Sequence, residues 1–186
     1  MKNANPAPIG VMAFGVAAFV VGGLFAGLFG AFNAGNMHAS AYVALISGLV
    51  LLLVTCLMIS GNSLADSAVF SMWGATIFGF FGQVWIVLGL ILLNWTDGVT
   101  NPLAYMLLYL CLFSIGYLIY SYKLKLWSFA LLFLLVAVAT LSAFAQLIYG
   151  WSDGNMVCGY IFILLSFLAI YIAFKEQLSA VLPAKE

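Results

Sequence analysis

Asn5-Pro6-Ala7-Pro8-Ile9-Gly10 stands at the head of an apolar run that continues through Val11-Met12-Ala13-Phe14 to Gly30. Two prolines two positions apart fix φ twice and bias the residues before them toward extended backbone. The stretch predicts a stiff, extended approach that turns into a helix at Pro8 or just after it. Proline suits a first helical turn, where its missing N–H has no partner to lose. Asn5 adds a side-chain amide able to satisfy backbone groups nearby. The run that follows, Ile9–Gly30, is long enough to cross hydrocarbon, which takes ~20 apolar residues.

Five further runs have the same character: Ala41–Ser60, Ala68–Asn94, Leu103–Tyr122, Leu126–Tyr149 and Met156–Phe174. Between them lie Asn-Ala-Gly-Asn, Gly-Asn-Ser, Thr-Asp-Gly, Asn-Pro and Ser-Asp-Gly, the punctuation of turns. Of the 186 residues, 67% are hydrophobic and 5% charged, against about 25% charged in soluble domains. With a mean hydropathy of +1.23 the solvent must be lipid. Bare backbone is not tolerated there, so the runs are expected to be helices. A β-barrel would show alternating segments of ~10 residues, which are missing. The expectation is an all-α membrane protein: six transmembrane helices in a single bundle, one domain over 1–186. Residues 1–8 are expected as a cytoplasmic motif segment and 175–186 as a cytoplasmic tail. The first run exceeds the ~7–15 apolar residues of a signal peptide and is read as a retained span.

There is no arginine, and the five lysines are Lys2, Lys123, Lys125, Lys175 and Lys185. Six spans put all of them on one side, and Asp97 and Asp153 on the other. The positive-inside rule then sets both termini in the cytoplasm, in the inner membrane. Net charge is zero, and no nucleic-acid partner is expected. Cys56, Cys111 and Cys158 are read as packing residues and His38 as part of a polar linker. No metal, cofactor or catalytic group is expected. No Asp, Glu, Lys, Arg or His lies mid-span, which removes the usual materials of proton relays.

What remains is neutral polarity and aromatic rings. Ser71, Thr76, Gln83 and Gln146 are the main polar candidates for a pore, with Ser47, Thr55, Ser60, Thr140 and Ser142 beside them. Helix-to-helix hydrogen bonding is the competing reading for the glutamines. Phe14, one turn past Gly10, is the leading pore candidate among the phenylalanines of the first run. Gly22-x-x-x-Ala26-x-x-x-Gly30 and Gly23-x-x-x-Gly27 let backbones approach closely, within the chain or between subunits. Neutral donors and an apolar constriction suit a small carboxylic acid, held weakly enough to leave. Anion and neutral acid both remain open as the permeant form.

The opening hexapeptide also resembles the signature of the acetate uptake transporters, or succinate–acetate permeases. Gly61-Asn62-Ser63 is similar to that family's Gly-Asn turn, and Val69-Phe70-Ser71-Met72-Trp73-Gly74 to its aromatic-Thr-Ser-Tyr-Gly element. Ala169-Ile170-Tyr171 and Val181-Leu182-Pro183 resemble its carboxyl end. The resemblance implies passage of acetate and related short carboxylates such as succinate. It further implies a homo-hexamer with a separate pore in each subunit. The family's constriction of phenylalanine, tyrosine and leucine carries over to Phe14, to Trp73 in the tyrosine's place, and to Leu134, with Leu131 and Leu135 as alternatives. Asn5, Pro6, Ala7, Pro8 and Gly10 carry over as an entry motif. Two departures stand out. Trp73 has only an N–H donor where tyrosine has a hydroxyl, and Leu57-Met58-Ile59-Ser60 lacks the family's glutamate. A pore for urea or short amides, and a scaffold without transport, are the alternative readings.

Overall fold

The computed structural model describes residues 5–30, 33–60, 68–95 and 100–181. They form six helices: α1 (Ala7–Phe25), α2 (Ala34–Ser60), α3 (Ala68–Leu93), α4 (Thr100–Lys123), α5 (Trp127–Tyr149) and α6 (Gly154–Val181). At ~1.5 Å per residue each is long enough to cross hydrocarbon, and each contains a window apolar enough to do so. The Gly-Asn-Ser turn at 61–63, Leu182, Pro183, Phe32, Lys2, Lys185, Asp66 and Asp97 lie outside the described residues.

The ends of the spans differ from the sequence expectation in four places. The helix begins at Ala7 rather than at Pro8, because Pro6 already has helical geometry (φ −79°, ψ −10°) and acts as N-cap. The Ile9 and Gly10 N–H groups donate to the Pro6 carbonyl at 3.1 and 3.4 Å, so no extended approach survives at Pro6. α1 stops at Phe25 rather than Gly30, since Gly27 (φ 72°) and Gly30 (φ 88°) take left-handed backbone that ends a helix. α2 starts at Ala34, so His38 is an exposed residue of a helix and not of a linker. α6 runs on to Val181, past the expected end at Phe174.

α1 packs between α2 and α6; α2 also packs on α3, α6 on α5, and α5 on α4. α3 and α4 close the ring through side chains: Phe80 stacks on Phe113 with ring centroids 3.6 Å apart. Alternate helices run in opposite directions, so the α1 start, the α4–α5 turn and the α6 end share one end of the ring. That end carries Lys123, Lys125 and Lys175, and the other carries Asp153. Glycine sets the tightest contacts. A Cβ on Gly22 would meet the Gly159 carbonyl oxygen at 2.8 Å, and one on Gly48 would meet the Gly82 carbonyl oxygen at 2.7 Å. Gly15 and Gly22 thus serve α1–α6 packing within the chain, whereas Gly27 and Gly30 lie beyond the end of α1 with open space around them.

The outward faces are apolar. Ile46, Leu49, Leu53 and Ile59 of α2 and Leu112 of α4 are all more than half exposed, as a surface bathed in lipid requires. The polar side chains inside are mostly spent on their own helices. Thr140 Oγ1 donates to the Val136 carbonyl at 2.8 Å, Ser142 Oγ to Ala139 at 2.7 Å and Ser166 Oγ to Ile163 at 2.7 Å.

Candidate functional site

The inward stripe of α3 is Trp73, Ile77, Phe81, Trp85, Leu88 and Leu92, all at most 7% exposed. Spacing of three to four keeps these residues on one helix face. α5 answers with Phe129, Phe133 and Val136, and α1 with Val11 and Phe14. Their rings interlock. Phe14 meets Phe81 edge-on with centroids 4.9 Å apart and tilts against Trp85 at 5.9 Å. Phe133 lies 6.3 Å from Phe81 and 6.5 Å from Trp73. Such pairs add ~0.5–1.5 kcal/mol each beyond buried area, so the rings hold one another in place.

Four cavities follow one another through the ring of helices. The first, about 140 Å³, lies at the lysine end among Lys125, Trp127, Phe129, Lys175 and Glu176. The second, about 20 Å³, is walled by Val11, Phe14, Leu51, Ile77, Phe78, Phe81, Phe129, Leu132 and Phe133. The third, also about 20 Å³, has Phe14, Phe25, Phe81, Trp85, Leu103, Leu107, Val136 and Phe162 in its wall. The fourth, about 250 Å³, opens at the aspartate end among Phe25, Trp95, Leu103, Leu107, Gln146 and Asn155. Neighbours share walls: Phe129 joins the first two, Phe14 and Phe81 divide the middle two, and Phe25, Leu103 and Leu107 join the last two. The arrangement is a polar mouth at each end of an aromatic and aliphatic shaft. A space of ~10–15 Å³ holds one water, so any larger solute must part the Phe14 and Phe81 rings.

The two middle cavities expose no polar surface among the described residues. Trp85 is 3% exposed, lines the third cavity, and its indole Nε1 has no acceptor among the described residues. An unsatisfied buried donor costs ~1–3 kcal/mol. Ser114 Oγ and Ser121 Oγ have no partner among the described residues and line none of the four cavities.

The residues singled out in the sequence fall in different places. Phe14 stands at the narrowing. Trp73 does not reach it: it packs edge-on against Phe129 at 5.1 Å and lines a lateral groove of about 600 Å³ between α3 and α4. Leu134 points away, 44% exposed, and Leu131 is 48% exposed. A helix turns ~100° per residue, so the side chains that α5 sends inward are Leu132 and Phe133. Thr76 lines the lateral groove, where its hydroxyl bonds with Tyr117, and Gln83 is exposed on the outer face. Ser71 lies on α3, with its side chain outside the described residues. Gln146 lines the cavity at the aspartate end. Its Oε1 accepts the Asn155 N–H and so caps the start of α6.

The entry motif sits at the lysine end. Asn5 Oδ1 accepts the Ala7 N–H at 3.0 Å, and Pro8 is buried in the first turn. Gly10 has a specific reason to be glycine: a Cβ there would meet the Phe78 ring at 2.8 Å. Phe78 in turn walls the second cavity. The motif thus shapes the apolar chamber on the lysine side of the narrowing. Sequence reasoning missed Phe81, Trp85, Phe129, Phe133 and Leu132. The available signal was the recurrence of large apolar side chains at every fourth position, Trp73–Ile77–Phe81–Trp85 and Phe129–Phe133.

A family model described as the GPR1/FUN34/yaaH family matches residues 1–181. Among solved structures, that of the bacterial acetate channel SatP is similar, with a TM-score of 0.67. It is 23% identical in sequence, and the match covers 96% of this chain and 94% of that one. At that identity the likeness is one of fold. No curated protein matches the chain.

Proposed function

The chain belongs to the GPR1/FUN34/yaaH family, and from that premise we propose that it conducts a short monocarboxylic acid, acetate above all, across the inner membrane. The observation that carries this reading is the shaft itself. It has a polar mouth at each end and an apolar middle narrowed by Phe14 and Phe81. The SatP structure, an acetate channel of the same fold, supports acetate as the solute.

The walls also favour one protonation state. Moving an ionised carboxylate from water into a medium of low dielectric costs on the order of 20 kcal/mol in the idealised limit, and several kcal/mol after relaxation. Protonating a carboxyl of pKa ~4.3 at pH 7 costs about 4 kcal/mol, at 1.36 kcal/mol per unit. With only hydrocarbon and rings along the middle, the neutral acid is the lower-energy passenger. Each acid molecule then carries its own proton, and no side-chain relay is needed. Succinate must lose two charges to enter, so it passes less readily than acetate.

Lys123, Lys125 and Lys175 at one end support a reading with that end, and both termini, in the cytoplasm by the positive-inside rule. The resemblance implies assembly as a homo-oligomer, a hexamer, each subunit with its own path. A six-helix ring around its own cavities is consistent with that. In proteoliposomes, labelled acetate should enter with saturation and labelled urea should be excluded. Free passage of urea without saturable acetate uptake would instead favour a neutral-solute pore, and passage of neither a scaffold.

A further inference from the structure

We infer that Lys125 and Lys175 form a binding station for the ionised carboxylate of a short acid, at the lysine-end mouth of the shaft. This rests on the reading of the shaft as an acid path. The two lysines come from different elements, Lys125 from the α4–α5 turn and Lys175 from α6, and both line the cavity of about 140 Å³ there. Lys123 stands at the same end of the molecule but has no place in that wall. Ser128 adds a hydroxyl to it. Glu176 adds one negative charge, so two lysines and one glutamate leave the wall positive overall. The cavity exposes polar and apolar surface together, unlike the two behind it. A carboxylate with a short alkyl tail matches such a wall, its oxygens toward the lysines and its tail toward Trp127 and Phe129.

The backbone at Lys125 is an independent observation. Its φ is 60°, in the left-handed region that an L side chain rarely takes, and no other non-glycine residue among those described has positive φ. The Lys125 N–H donates to the Tyr122 carbonyl at 3.0 Å, and the Leu126 N–H to the Ser121 carbonyl at 2.9 Å. That pair of bonds closes a helix at a left-handed residue, where glycine is usual. A lysine there costs stability, and burial gives no reason for it, since Lys125 is exposed. Backbone strain of this kind tends to be kept at ligand sites. A short carboxylic acid is almost wholly ionised at neutral pH, so the species that reaches the mouth from water is the anion. Exposed charges attract it only weakly, which lets it leave again, as conduction demands. Phe129 belongs to the wall of this cavity and of the next. The station therefore adjoins the apolar shaft, which the solute enters after taking a proton from water.

The test is acetate binding by the full chain in detergent at neutral pH, with chloride holding the ionic strength constant. Trp127 lines the same cavity. Its indole ¹⁵N–H resonance, assigned by its loss in Trp127→Phe, should move with saturation as acetate is added. Combining Lys125→Gln with Lys175→Gln should raise the half-saturation about three- to tenfold, whereas Lys123→Gln should leave it unchanged. A resonance that does not move in the wild-type protein overturns the proposal, as does an unchanged half-saturation in the folded double variant. An equal rise in Lys123→Gln also overturns it, because acetate would then be drawn to a charged end and not to a site. Lys125→Gly separates binding from folding. Glycine relieves the left-handed backbone, so the melting temperature should hold or rise while the half-saturation rises. If the wild-type protein takes up no acetate in proteoliposomes, the functional reading falls. The titration then decides the station alone, with a saturable shift that weakens in the double variant supporting it and no shift refuting it.

Discussion

Phe14→Ala combined with Phe81→Ala should admit butyrate-sized acids at least tenfold faster relative to acetate than the wild-type protein does. The two rings meet edge-on at 4.9 Å and are the only residues shared by the walls of the two middle cavities. Removing both joins two spaces of about 20 Å³ each and adds the volume of two phenyl rings. Each single change should act in the same direction more weakly, since the partner ring still fills part of the gap. A buried Phe→Ala change costs ~3–5 kcal/mol, so the single variants also serve as folding controls. Trp73→Ala should leave the butyrate-to-acetate ratio near that of the wild type, because Phe129 and Phe133 stand between Trp73 and the shaft. Parallel uptake of labelled acetate and butyrate measures the ratio. An unchanged ratio in a folded double variant would make Phe14 and Phe81 packing residues.

Gly22→Val should abolish the folded protein, whereas Gly116→Ala should leave it intact. A Cβ at Gly22 would lie 2.8 Å from the Gly159 carbonyl oxygen, 2.8 Å from Phe162 Cβ and 3.1 Å from the Ile163 N. Two of these are backbone atoms of α6 that no rotamer change can move. Overpacking a core costs ~1–3 kcal/mol when side chains can yield, and here the helix itself must shift. Helices in lipid associate through close packing rather than through a hydrophobic drive, so separation of α1 from α6 removes much of what joins them. A Cβ at Gly116 meets nothing within 4 Å, and alanine also has the higher helix propensity. Size-exclusion profiles and melting curves in detergent report both outcomes. A monodisperse Gly22→Val protein with wild-type melting would contradict the packing described.

The helices were legible because each signal is long and repeated. Six apolar runs, turn residues between them and lysines on one side leave little room for another topology. The boundaries were less so. Phe25–Gly30 reads as apolar, yet Gly27 and Gly30 take positive φ and close the helix early, a backbone event that hydropathy does not register. The motif predicted a role at Gly10 and gave no hint that its partner is Phe78, which lies on α3 far along the chain. Phe14 could be placed in the sequence because one anchor, Gly10, lies four residues before it. Leu134 and Leu131 point outward where Leu132 and Phe133 point inward; α5 carries leucine on every face, and its register is set by packing against α4 and α6. Trp85 escaped notice for a related reason. Its indole reads as filling in a sequence, and only burial without an acceptor marks it out.

On this reading the permeant crosses the apolar shaft as the protonated acid. That crossing is tested most directly by saturable acetate uptake in proteoliposomes, measured against pH with and without an imposed membrane potential and corrected for protein-free vesicles. The predicted result is uptake that falls about tenfold per pH unit above the acid's pKa, as the neutral fraction does. That uptake should not change when the potential is imposed. Uptake that is flat with pH and accelerated by an inside-positive potential would mean that the anion crosses, and would contradict the claim.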